Sequence, residues 1–211
     1  MKHRVMIVDD QYVCRKMFEL YLENSDDYEV VFSIDSAMFA DTYVLKDHID
    51  LVLMDILMDD GSSGLEAAEK MKRLNPRVKI IAVTSMPELS WLDRARKIGI
   101  DSFWYKEASK ETILSVMDHT MEGESVYPDG PPMVQIGNAC SHDFTPKEIE
   151  ILRLLVTGAS NVEISEKLEI SVHTVKSHVR NLLDKTGYRS RTKLAIQARI
   201  TGMIIEDEDG A

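Results

Sequence analysis

The sequence predicts a doubly wound α/β domain with a five-stranded parallel sheet, followed by a small all-α domain of four helices. Three observations carry this. Over residues 1–122, five short β-branched runs alternate with five amphipathic stretches, the pattern of a parallel sheet with helical crossovers. A stretch dense in Gly and Pro then interrupts the alternation. Beyond it the periodicity is purely helical and is punctuated by capping residues.

The strand-like runs are Arg4 to Val8, Glu29 to Phe32, Leu51 to Met54, Val78 to Val83 and Ser102 to Tyr105. The helical stretches are Val13 to Asn24, Ala37 to Lys46, Gly64 to Leu74, Leu89 to Ile98 and Ser109 to Glu122. In a sheet wound this way the functional crevice lies at the carboxyl ends of the strands. Residues 123–143 read as a linker, because Gly123, Pro128, Gly130, Pro131, Pro132 and Gly137 break any helix.

Phe144 to Thr157 opens the helical part. Thr145-Pro146-Lys147-Glu148 supplies an N-cap, a Pro at the first helical position and a capping-box Glu, and Gly158 closes the helix. Asn161 to Leu168 is a short second helix, capped by Ser160 and Glu163. Glu169-Ile170-Ser171 makes a tight turn into a longer helix, Val172 to Thr186, which Gly187 ends; Arg191 to Ile200 is the fourth. A short helix, a tight turn and a longer cationic helix follow the helix-turn-helix order. The predicted division is 1–122, a linker at 123–143, a helical domain at 144–206 and an acidic tail at 207–211.

Net charge is −11, which for a single object argues against nucleic acid. The charge is not evenly spread. Residues 1–143 carry 15 Lys/Arg against 26 Asp/Glu, whereas residues 144–205 carry ten against six and the remaining four acids crowd Glu206 to Asp209. An acidic half joined to a locally basic half suits a regulated DNA binder. No apolar run approaches the ~20 residues needed to span a bilayer. The first apolar run ends in two aspartates, unlike a signal peptide. Cys14 and Cys140 lie far apart without metal-ligand spacing and read as reduced thiols. A cytoplasmic protein is expected.

Asp9 and Asp10 follow the first strand, Asp55 the third, Thr84 ends the fourth and Lys106 the fifth. All five converge on one edge of the predicted sheet. Any one of them alone is an ordinary solvated loop residue. Three carboxylates, a hydroxyl and a Lys together fit a hard divalent cation, Mg²⁺, that keeps waters and phosphate oxygens as its other ligands. A carboxylate can attack phosphorus to give an acyl phosphate, and a metal and a Lys neutralise the transferring group. A metal-dependent phosphatase with an Asp nucleophile is the rival, but it needs an acid two residues after the nucleophile, where this chain has Leu57.

On these residues the first 122 positions resemble the receiver domain of a two-component response regulator, a flavodoxin-like fold. The resemblance implies that Asp9 and Asp10 are its acidic pair, Asp55 its phosphoacceptor, Thr84 its switch hydroxyl, Phe103 its switch aromatic and Lys106 its pocket lysine. It further implies metal ligation by Asp10, Asp55 and the Leu57 carbonyl, with Asp9 acting through water. Two departures stand out. Asp59-Asp60 replace the usual Pro after Met58, with the helix-opening Gly64 one residue late, and Glu107 stands where many receivers have Pro.

On the third helix of the C-terminal part, Val172, Val175, Val179, Leu182 and Leu183 form an apolar stripe. The opposite face carries His173, Ser177, Arg180, Asn181 and Asp184, with Lys176 on the shoulder. His173 and His178, five apart, are off-phase for shared metal ligation. With Thr145-Pro146-Lys147-Glu148, Ser160-Asn161, Thr174-Val175-Lys176, His178-Val179 and Ser190-Arg191-Thr192, this stretch resembles the LuxR/NarL-type DNA-binding domain. The resemblance implies that Lys176, Ser177 and Arg180 face bases, and that Thr174 and Lys185 lie near phosphates.

The function expected is transcriptional control in a bacterial two-component system, in which phosphorylation of Asp55 governs dimerisation and promoter binding. The implied partners are a sensor histidine kinase, promoter DNA, a second copy of the chain and, as a further candidate, RNA polymerase; no membrane is expected. The protein should not be an enzyme beyond its own phosphoryl transfer and dephosphorylation. The competing classes are a receiver fused to a protein-binding module and a regulator that answers a ligand instead of phosphate.

Overall fold

The computed structural model describes residues 1–109 and 111–205; the acidic tail lies outside them. The chain divides into two compact units, Met1–Ser85 with Ser90–Gly130, and Met86–Leu89 with Pro131–Ala211.

The first unit alternates strand and helix throughout: β1 (His3–Val8), α1 (Tyr12–Glu23), β2 (Tyr28–Ile34), α2 (Ala40–Lys46), β3 (Leu51–Asp55), α3 (Gly64–Leu74), β4 (Lys79–Thr84), α4 (Trp91–Ile98), β5 (Ser102–Tyr105) and α5 (Ile113–Met121). The sheet is parallel with order β2-β1-β3-β4-β5. All five residues of β3 are buried, because helices cover both faces of such a sheet and its central strands need no polar side. Val5, Ile7, Leu51, Leu53, Ile81 and Val83 share one core cluster with Phe18 and Leu22 of α1 and Val116 and Met117 of α5.

One helix start moves inward from the sequence reading to a better cap. Helix α5 begins after Thr112, whose side chain accepts from the Ser115 N–H, and not at Ser109. Helix α4 ends at Gly99, in the left-handed region at φ 84°.

Residues 123–143 are less of a tether than their Gly and Pro suggest. At the near end, the Phe103 N–H donates to the Val126 carbonyl at 2.9 Å. The Val126 N–H donates to Ser102 Oγ at 3.0 Å and the Tyr127 hydroxyl to the Ile100 carbonyl at 2.8 Å, so this segment satisfies polar groups along the free edge of β5. At the far end, β6 (Gln135–Ile136) and β7 (Ala139–Cys140) form a hairpin that belongs to the second unit. Its two-residue turn is Gly137-Asn138, with Gly137 at φ 62°. A Cβ there would meet the Thr186 carbonyl oxygen at 2.1 Å, so glycine is required.

A 3-10 turn (Ser141–Asp143) leads into α6 (Pro146–Val156), α7 (Asn161–Lys167), α8 (Val172–Thr186) and α9 (Arg191–Ile200). Capping boxes close the starts of α6 and α7, Thr145 with Glu148 and Ser160 with Glu163. Between α7 and α8, Glu169 adopts φ 52°, an uncommon conformation for a side-chain-bearing residue that fixes the tight turn. Ile151, Leu152, Leu155, Ile164, Val175, Val179, Leu182, Leu194 and Ala198 join in one buried cluster with Ile136 of the hairpin.

Candidate functional site

The parallel register carries Asp9, Asp55, Thr84 and Lys106 to one end of the sheet. Asp55 is the last residue of β3 and pairs with Val83, one residue before Thr84. The Lys106 N–H donates to the Thr84 carbonyl at 2.9 Å. Lys106 Nζ lies 2.7 Å from Asp9 Oδ2 and 2.7 Å from Asp55 Oδ2. Asp9, Asp55 and Thr84 are all buried.

Burial pushes the Asp55 carboxyl up to about 6; the Lys106 ammonium opposes this and Asp9 reinforces it. Burial also works against the Lys106 ammonium, but Asp55 and Asp9 outweigh it and hold that pKa above its ordinary value. One buried cation thus serves two buried anions, with Asp10 adding a third carboxylate.

The residues fit a divalent cation. One ligand oxygen each from Asp9, Asp10 and Asp55 lies within 4.8 Å of the others. Asp10 Oδ2 accepts the Asp59 N–H, while Asp10 Oδ1 is buried with no hydrogen-bond partner among the described residues. A desolvated carboxylate oxygen with no donor is costly, and a cation would satisfy it. Leu57, the third expected ligand, is half exposed at the exit from β3, and its N–H supports the Asp55 carboxylate.

Two contributors behind the site were less visible in sequence. A Cβ on Gly64 would stand 1.8 Å from the Asp55 carbonyl oxygen, and the Gly64 N–H donates to the Ile56 carbonyl at 2.9 Å. Helix α3 therefore starts hard against the backbone of Asp55. The second is the Asp59-Asp60 loop. Asp60 accepts from the Ser36 hydroxyl and from both the N–H and the hydroxyl of Ser62, and these donors hold its carboxyl below the usual range. Phe103 is buried, with its ring 5.0 Å from that of Tyr105 and 6.1 Å from that of Tyr127. The Cys14 thiol donates to Gln11 Oε1 at 3.2 Å, and burial pushes its pKa up, so it is not an activated nucleophile.

In the second unit, α8 turns Val175, Val179 and Leu182 inward and leaves His173, Lys176, Ser177, Arg180 and Asn181 exposed. Thr174 is half-buried, its hydroxyl 2.8 Å from that of the cap Ser171. Arg191 donates to Asn161 Oδ1 at 2.8 Å and to the Ala159 carbonyl, tying α9 to the start of α7. Lys185 is engaged within the fold: it donates to Glu148 Oε2 at 2.7 Å and to the Asp143 carbonyl at 2.8 Å. Lys185 is also about a third exposed, near the end of α8 where the sequence reading expects a phosphate contact.

A doubly wound sheet with an acid pair, a third acid and a Lys at its carboxyl edge, joined to a helix-turn-helix unit, defines a response regulator. Family comparison agrees over both units: residues 5–118 match the response regulator receiver domain and residues 142–198 the bacterial regulatory proteins of the luxR family. The chain belongs to the luxR family of response regulators. It is 36% identical over 201 residues to the response regulator protein VraR of Staphylococcus epidermidis, covering 92% of this chain and 95% of that one. It is 35% identical over the same length to VraR of Staphylococcus aureus. Among solved structures, RcsB from Salmonella enterica serovar Typhimurium bound to a promoter shares the fold with a TM-score of 0.62, at 22% identity over 92% of this chain and 96% of that one. Among the described residues, no helix is long and apolar enough to cross a membrane.

Proposed function

We propose that Asp55 accepts a phosphoryl group from the phosphohistidine of a sensor kinase, and that this modification sets the affinity of the C-terminal unit for promoter DNA. The observation that carries the reading is the buried Asp55 carboxylate, 2.7 Å from Lys106 and grouped with Asp9 and Asp10. An Asp55 oxygen forms the new P–O bond as the donor's P–N bond breaks, and the leaving imidazole keeps the electron pair. Asp10, Asp55 and the Leu57 carbonyl would hold Mg²⁺, with Asp9 acting through water. Bound there, the ion supplies positive charge to the phosphoryl oxygens. Lys106 neutralises a further oxygen, and Thr84 donates a hydrogen bond to the phosphoryl group. Phe103 follows Thr84 as the switch aromatic. The only chemistry is the receiver's own phosphoryl gain and loss.

The exposed face of α8 is the DNA-reading surface. Lys176, Ser177 and Arg180 reach base edges in the major groove, and Thr174 and Lys185 lie near phosphates. RcsB, which shares the fold, has been solved bound to a promoter in the presence of a phosphomimetic, which supports a link between the receiver and DNA binding here. Activation proceeds through a homodimer in the cytoplasm, with RNA polymerase as a further candidate partner. The test is a low-salt mobility shift of the full chain on a pool of random duplexes, with and without acetyl phosphate and Mg²⁺. Tighter binding after phosphorylation is expected. No binding under either condition would favour a protein-binding module instead.

A further inference from the structure

The β3–α3 loop departs from the usual receiver pattern at the point where it meets the metal pocket. Met58 is buried and anchors the loop, and the Gly61 N–H donates to the Met58 carbonyl at 3.1 Å, closing a turn with Gly61 at φ 81°. Within this turn the two acidic residues do different things. Asp59 presents its backbone N–H to Asp10 Oδ2. Asp60 turns the other way, taking the Ser36 hydroxyl from the β2–α2 loop together with the Ser62 N–H at 2.8 Å and the Ser62 hydroxyl at 2.6 Å. Both hydroxyls are themselves fixed: Ser36 Oγ accepts the Met38 N–H at 3.1 Å and Ser62 Oγ accepts the Ala37 N–H at 3.2 Å. Asp60 is therefore the knot between two loops, and the Asp59 N–H is held by that knot.

We propose that Asp60, with Ser36 and Ser62, is a positioning residue for the cation site: it holds the Asp59 N–H on one oxygen of Asp10, so that the other, unpartnered oxygen is presented to the metal. The proposal rests on the reading of Asp9, Asp10 and Asp55 as the cation pocket. That other oxygen, Asp10 Oδ1, is buried with no partner among the described residues. A carboxylate locked in one orientation loses less freedom when the ion arrives, and hydrogen-bond partners behind metal ligands are worth about 10–100-fold in metal affinity. Asp60 does not ligate the ion. It acts on a ligand through one backbone group, and the acidic loop is a clamp for Asp10 instead of extra negative charge for the metal.

The experiment is a Mn²⁺ titration of the full-length protein, followed by loss of the free-ion electron paramagnetic resonance signal. It compares wild type, Ser36→Ala, Asp60→Ala, Asp60→Asn and Asp10→Ala. Ser36→Ala changes no charge, so a purely electrostatic role for the loop predicts no effect. Positioning predicts that Ser36→Ala and Asp60→Ala both weaken Mn²⁺ binding, by about 10-fold for Asp60→Ala. Asp60→Asn, which keeps an oxygen acceptor for one of the two serines, should recover part of the loss. Wild-type affinity in Ser36→Ala, or equal losses in Asp60→Asn and Asp60→Ala, overturns the proposal while leaving the pocket intact. Wild-type Mn²⁺ binding that Asp10→Ala does not diminish overturns the pocket reading and the proposal with it.

Discussion

Lys185 Nζ stands 2.7 Å from Glu148 Oε2, tying the last turn of α8 to the first turn of α6. Glu148 is only 3% exposed. Burial pushes its carboxyl up, but Lys185 and the Thr145 cap outweigh that and hold it below the ordinary range. Lys185→Met should therefore destabilise the second unit by ~1–3 kcal/mol, less than for a fully buried pair because Lys185 is about a third exposed. A depressed carboxyl contributes stability above its unfolded pKa and loses it as pH falls through the folded value. Urea melts of wild type and variant should thus differ at neutral pH, with the difference shrinking as pH falls below the ordinary carboxyl value of 4.5. An equal difference above and below that value would mean that the lysine acts by packing alone.

Asp55 carries the opposite sign. Its folded pKa is raised from 3.8 to about 6, so its contribution is fully present below about pH 4 and is lost as pH rises through 6. In metal-free buffer Asp55→Asn, which stays neutral, should be more stable than wild type at about pH 8 by ~1–3 kcal/mol, and this advantage should fade toward about pH 4. Chemical denaturation across that range in the presence of chelator reads it directly. A difference independent of pH contradicts the account.

Gly64 admits no side chain without moving the Asp55 carbonyl. Gly64→Ala should cost ~1–3 kcal/mol and slow phosphorylation by acetyl phosphate, because the displaced backbone carries the nucleophile. A variant that folds with wild-type stability and is labelled at the wild-type rate would show that this close approach is unimportant.

On α8, Lys176 and Arg180 should act on sequence preference more than on overall affinity, because base contacts specify whereas phosphate contacts position. With duplexes selected from a random pool, Lys176→Ala should lose ~1–3 kcal/mol on the selected site and much less on unselected DNA. Dissociation constants at several salt concentrations check this. Equal losses on both duplexes would make Lys176 a phosphate contact.

The pocket was legible because strand ends are. Once five apolar runs are placed in a parallel sheet, Asp9, Asp10, Asp55, Thr84 and Lys106 share an edge without any knowledge of side-chain geometry. The caps Thr145, Ser160 and Ser171 were legible for the same reason, since their partners lie three residues away. Contacts distant in sequence were not. Glu148, Lys185's partner, is 37 residues away, so the pairing leaves no local sign in the sequence. Ser36 and Asp60 lie on different loops, and Asp59-Asp60 alone reads as extra charge. The β6–β7 hairpin did have a local signal, Gly137-Asn138 between short runs, but the surrounding glycines and prolines hid it among linker features.

The central claim, that Asp55 receives the phosphoryl group, is tested most directly by intact-protein mass spectrometry of wild type and Asp55→Asn after incubation with acetyl phosphate and Mg²⁺. The account predicts one added phosphoryl group on the wild type, lost on chelating the metal beforehand, and none on Asp55→Asn. Equal labelling of Asp55→Asn, or a wild type that takes up no phosphoryl group under any of these conditions, would contradict it.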